Sequence, residues 1–163
     1  MVIALAGAAG LYRTHAPLPK LNVTPTQKNP PPLAPSEVAN LLGMQYRTIR
    51  RVEQVPDTLK QSFANLTGIP FRMVNPGKPM STDYIIAGVP SRRLVFAGIG
   101  ESAAVLVYEQ GGYANSLNAA VFSYSNGGAA WIATLNGRSV SDIATLKAAV
   151  ESGQFRSWGK RDK

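Results

Sequence analysis

At 163 residues and 45% apolar content, the chain suits one globular domain large enough for a real core. It has no cysteine, which excludes a disulfide framework, a thiol nucleophile and a thiolate metal site. Its net charge of +8 gathers at the ends (residues 1–36 carry +3 and residues 156–163 carry +3), leaving +2 over residues 37–155, too little for the basic face that neutralises phosphates.

Met1 to Tyr12 (MVIALAGAAGLY) is an uncharged, mostly apolar run. It is shorter than the roughly 20 residues of a membrane span but matches a signal-peptide h-region, and Ala6-Gly7-Ala8 fits a small-x-small cleavage pattern. A positively charged n-region is missing. Three origins fit: a signal peptide whose start lies upstream, an uncleaved anchor, or a buried strand. Residues 13–35 form a proline-rich linker containing Pro30-Pro31-Pro32, of the kind that behaves as an extended, semi-rigid spacer. This layout is that of a domain held off, or released from, a membrane surface.

Residues 36–155 are expected to form a single domain. Ser36 is positioned to cap a short helix from Glu37 to about Gly43, with Val38, Leu41 and Leu42 on one side. Tyr46 to Val52 alternates as an edge strand would, with Arg47 and Arg51 facing one way. Thr58-Leu59-Lys60-Gln61 has capping-box form and opens a helix with Leu59, Phe63 and Leu66 on one face, ended by Gly68. Phe71 to Val74 and Tyr84 to Ala87 read as a strand pair, or a strand and loop, at the sheet margin. Residues 75–83 make the longest irregular loop, a natural wall for a site.

From Ser91 to Leu135 the chain reads as four strands joined by glycine turns. Arg92 to Ile99 places Leu94 and Phe96 on one side and Val95, Ala97 and Ile99 on the other. Ala103 to Glu109, Leu117 to Tyr124 and Ala129 to Leu135 follow. Gln110-Gly111-Gly112 and Asn126-Gly127-Gly128 turn the chain between them, and Asn136-Gly137 closes the run. Short connections require antiparallel neighbours. The strands lack the alternation of a sheet with one wet face, so both faces are expected to be covered. After the meander, Ser141 is expected to cap an amphipathic helix from Asp142 to Ser152, with Ile143, Leu146 and Val150 on one side and Gly153 as its stop. Residues 156–163 form a basic C-terminal tail.

Pro90-Ser91-Arg92-Arg93-Leu94-Val95-Phe96-Ala97-Gly98, followed by Tyr108-Glu109-Gln110-Gly111-Gly112 and preceded by Leu66-Thr67-Gly68-Ile69-Pro70-Phe71, resembles a group of small, uncharacterised exported bacterial proteins. The resemblance covers roughly residues 55–125 and implies export and a hairpin with a YExGG motif, but no activity. Members of that group often carry a histidine just after the two glycines, where this chain has Tyr113, Asn115 and Ser116.

His15 is the sole histidine and lies in the linker, so a Ser-His-Asp triad or a histidine metal site has no imidazole on the folded part. Gly98-Ile99-Gly100-Glu101-Ser102 leads into a strand where a phosphate loop would lead into a helix. Glu101 and Glu109 fall at opposite ends of one strand, about 20 Å apart and too far for a glycosidase pair. A cross-strand ion pair of Glu109 with Arg92 or Arg93 is the simpler expectation.

The fold class expected is α+β: an antiparallel β-meander of about four to six strands packed with an internal helix and a C-terminal helix. The functional expectation is an extracytoplasmic, non-enzymatic binding or protein-interaction domain. Its ligand or partner surface is assigned to Asp83, Tyr84, Arg92, Arg93, Glu109 and Tyr113, with no catalytic residue, metal or cofactor. The partner is an unspecified protein or small ligand of the cell envelope, with membrane proximity through the N-terminal segment and no specific nucleic acid. One alternative is a carboxylate-dependent hydrolase near the 75–83 loop, which needs Asp83, Tyr84, Glu101 or Glu109 converging in a cleft. The other is a nucleic-acid-associated protein acting through its basic tails, which needs Arg47, Arg50, Arg51, Arg92 and Arg93 on one face.

Overall fold

Strand follows strand in space as in sequence, and each of the four sheet pairings is antiparallel. The order is β1 (Arg47–Ile49), β2 (Arg92–Ile99), β3 (Ala103–Gln110), β4 (Ser116–Ser123) and β5 (Ala130–Leu135). The computed structural model describes residues 32–83, 86–112, 115–124, 129–135 and 140–154. The signal-like segment, most of the linker, the Asn126-Gly127 and Asn136-Gly137 turns and the basic tail lie outside the described residues. With its helices α1 (Pro35–Leu42), α2 (Asp57–Thr67) and α3 (Ile143–Glu151), the architecture is the expected α+β meander.

Both faces of the sheet are buried. On one, Leu59 and Phe63 of α2 cover Leu94, Ala97, Ile99, Leu106, Tyr108 and Phe122. On the other, Val38 and Leu42 of α1 and Leu146 and Val150 of α3 cover Phe96, Val105, Val107, Val121, Trp131 and Leu135. Removing large side chains from water on both sides is the dominant favourable term, and it explains why β3 has no charge before Glu109.

The expected phase of β2 needs one correction. Leu94 and Phe96 lie on opposite faces, because the β2–β3 register slips between them: Leu94 sits opposite Tyr108 and Phe96 opposite Val107. A β-bulge at Val95 inserts one residue and reverses the alternation. Leu94 thereby shares the α2 face with Ala97 and Ile99.

The helix starts also differ from expectation. Ser36 lies inside α1, whose N-cap is Ala34. Pro35 occupies the first turn, where a missing N–H costs nothing, and Glu37 Oε2 accepts from the Ala34 N–H at 2.7 Å. Thr58 lies inside α2, whose N-cap is Pro56 and whose end at Gly68 is as expected. Asp142 replaces Ser141 as the α3 cap. Its Oδ1 accepts from the Thr145 N–H at 2.8 Å, while the Asp142 N–H donates to Thr145 Oγ1 at 3.1 Å.

Of the expected strand pair at the sheet margin, Tyr84 and Ile85 lie outside the described residues, and Val74 pairs with β2. Its N–H donates to the Arg92 carbonyl at 3.0 Å, and its carbonyl accepts from the Leu94 N–H at 3.0 Å. The outer edge of β2 is therefore shared, with β1 along residues 97–99 and Val74 beside Arg93.

Candidate functional site

The ends of β2 and β3 meet at a corner where three of the expected surface residues gather. Arg92 lies opposite Gln110 and Arg93 opposite Glu109. Being consecutive on a strand, the two arginines point to opposite faces. Arg93 is the partner of Glu109, and the pair is partly exposed. Its Nη1 also donates to the Lys78 carbonyl at 3.3 Å, so Arg93 ties the 75–83 loop to β3. The hydrogen bond to Glu109 holds the Arg93 pKa above its ordinary value.

Arg92 behaves differently. It is 6% exposed, with its guanidinium carbon 5.2 Å from the centre of the Phe63 ring and 6.0 Å from that of Tyr108. Phe63 meets Tyr108 and Phe71 edge-on, at centroid separations of 5.1 and 5.7 Å. Among the described residues, Arg92 Nε is buried without a hydrogen-bond partner and no carboxylate forms an ion pair with this side chain. Burial lowers its pKa. An isolated ion costs several kcal/mol to desolvate, and a cation–ring contact returns about 0.5–2 kcal/mol. The aromatic contacts thus offset only part of the cost of this charge.

Beside the arginines, the described residues 81–83 and 86–90 of the segment leading into β2 (loop 81–90) are tied together at a neck. The Ser81 N–H donates to the Pro90 carbonyl at 3.0 Å, and Ser81 Oγ accepts from the Ile86 N–H at 3.1 Å. At the tip the Val89 N–H donates to the Ile86 carbonyl at 3.0 Å, closing a turn with Gly88 at φ 82°. That is the position where a type II turn requires positive φ. The turn presents Ile86, 56% exposed, and Val89, 36% exposed. Gly111 supports the neck from below. Its N–H donates to the Ser91 carbonyl at 2.8 Å, and a Cβ there would overlap the Ser81 carbonyl oxygen and come within 2.9 Å of Thr82 Cα.

Asp83 is exposed and forms no ion pair among the described residues, and Tyr84 and Tyr113 lie outside them. Glu101 stands in the turn before β3, at the opposite end of that strand from Glu109, so these two carboxylates do not converge. The five arginines do not share a face either. Arg47 lies opposite Ile99 at one end of β2, Arg92 is at the other end, and Arg92 and Arg93 diverge. Among the described residues no cluster of three or more His, Asp or Glu side chains is placed to hold a metal ion, and no helix is long and apolar enough to cross a membrane.

At the far end of β2, a shallow cleft of about 400 Å³ is lined by Leu42, Met44, Tyr46, Asp142, Ile143 and Lys147, among others. Its polar groups are largely committed. Asp142 caps α3, Lys147 lies 3.8 Å from Glu151, and the Tyr46 hydroxyl donates to the Leu41 carbonyl at 2.6 Å. Burial pushes the Tyr46 phenol up to about 12.

The exposed apolar turn was legible only in part, because the run from Tyr84 to Ala87 has the composition of a strand and left a strand and a loop both open. The usable signal was Gly88 followed by Pro90, which together favour a turn over a ladder. Comparisons of this chain with protein-family models, curated proteins and solved structures found no match. The resemblance over residues 55–125 rests on the quoted residues alone.

Proposed function

We propose that this chain is an extracytoplasmic, non-enzymatic interaction domain that makes its contact through the corner where loop 81–90 meets the ends of β2 and β3. The observation that carries the reading is the closed loop holding Ile86 and Val89 out in solvent. Both faces of the sheet are filled by the chain's own helices, so neither sheet face is free to make the contact. The hydrogen bonds that close the turn from Ile86 to Val89 and tie it to Ser81 reduce the conformational entropy these residues lose on binding, which favours the turn as a contact element. The extracytoplasmic assignment rests on the apolar first segment and the proline-rich linker. The hydrolase alternative draws no comparable support: Glu109 is engaged by Arg93, and Glu101 is at the wrong end of β3.

The test is capture of partners from a bacterial envelope fraction by the full chain, with the double variant Ile86→Asp, Val89→Asp as the comparison. Two charges on the tip should reduce specific capture by about tenfold or more, as expected when an apolar anchor is lost from an interface. The folding transition should barely move, since both positions are exposed. Identical capture by the two proteins would remove the loop from the contact surface.

A further inference from the structure

We infer that Arg92 is the receptor for a single carboxylate carried by the domain's ligand or partner, an inference that rests on the corner being the contact surface. The residue is more than nine-tenths buried, and among the described residues its Nε has no hydrogen-bond partner and no carboxylate pairs with it. Guanidinium is a permanent cation whose N–H donors lie in the plane of the group. Phe63 and Tyr108 are the rings close to it, and ring contacts leave hydrogen-bond donors unsatisfied. A carboxylate supplies the acceptors and the charge together, and fits the guanidinium fork edge-on.

The charge balance selects among anions. One buried positive charge is neutralised by one negative charge, whereas a phosphate dianion leaves an uncompensated charge in a poorly solvated place. Neighbouring Arg93 cannot serve the same role, because Glu109 already occupies it. The competing explanation is that Arg92 only packs its apolar stem against the rings. That explanation leaves Nε without an acceptor and predicts no response to anions.

The experiment follows the Arg92 Nε–H resonance of the full chain, labelled at arginine nitrogen, during titration with acetate and benzoate. Acetamide and benzamide serve as neutral matches, and inorganic phosphate as the rival anion. Arg92→Met and Arg92→Lys are titrated in parallel and followed by backbone amides around residues 91–93. The carboxylates should shift the resonance saturably, the amides should not, and phosphate should bind more weakly than benzoate. Affinity for benzoate should fall about tenfold in both variants, because neither methionine nor lysine offers the fork. Should Arg92→Met fail to fold, the lysine variant carries the same requirement.

An unsaturable response in the native protein, or undiminished affinity in the variants, overturns the inference. Tighter binding of phosphate than of benzoate overturns the carboxylate assignment. The Ile86→Asp, Val89→Asp protein keeps its carboxylate response if only the interaction loop is lost. Intact partner capture without a carboxylate response overturns the Arg92 inference and leaves the interaction reading standing.

Discussion

Gly111 closes β3 against the neck of loop 81–90, where the Ser81 carbonyl and Thr82 Cα leave no room for a side chain. Gly111→Ala must therefore push the loop backbone away, and we expect it to cost about 1–3 kcal/mol, the usual range for overpacking. Hydrogen exchange at the Ser81 amide, whose N–H is held by the Pro90 carbonyl, reports the change directly. Faster Ser81 exchange with a lowered midpoint is the expected result, and unchanged protection would mean that the neck does not depend on this contact. The glycine pair was legible as a turn. The reason Gly111 in particular must be glycine was not, because the contacting residues are remote in sequence. The arginines show the same limit. Their presence beside Glu109 was plain, yet which one pairs and which one is buried depends on register, and the chain offers no local signal for it.

Element by element, the meander was readable because largely apolar strands alternate with glycine turns, and because short links force antiparallel order. The bulge at Val95 was not. Alternation reveals a slip only where one face is polar, and residues 94–99 are apolar on both. Cap positions shifted because Ser and Thr compete with stronger local arrangements. The clearest is at α3, where Asp142 and Thr145 exchange hydrogen bonds. The Thr145 backbone N–H, then the Thr145 hydroxyl, hold the Asp142 carboxyl below its ordinary value of 3.8. The folded state therefore binds fewer protons than the unfolded one near that pH, and stability rises with pH there. The cap contributes fully above 3.8 and loses its contribution as pH falls through the lower folded value. Asparagine also caps but does not titrate. Asp142→Asn should retain most stability at neutral pH and lose less than the native chain between about pH 5 and pH 2. Thermal midpoints across that range decide it, and parallel curves for the two proteins would deny Asp142 a titrating role.

Across the whole molecule, one sheet separates two cores, and the strands that divide them also join them. Consecutive residues of β3 serve opposite sides: Val105 and Val107 pack with α1 and α3, Leu106 and Tyr108 with α2. Neither core can lose its packing without loosening the backbone that supports the other, so the sheet and its helices should unfold as one unit. Phe63 and Leu146 are fully buried in opposite cores and make the sharpest probes. Phe63→Ala should cost about 3–5 kcal/mol and Leu146→Ala about 2–5 kcal/mol, each from lost burial plus the cavity left behind. Trp131 lies 3% exposed in the core opposite Phe63, and a Trp158→Phe background leaves it the sole indole of the chain. In a denaturant titration, Phe63→Ala should move the Trp131 fluorescence midpoint as far as it moves the far-ultraviolet circular dichroism midpoint. Leu146→Ala should do likewise, with the two probes again coincident. If Phe63→Ala shifts the circular dichroism transition while Trp131 stays at its native midpoint, the two cores melt separately. The corner would then belong to an independently opening half of the molecule, and the rigidity argued for its loop would fail with it.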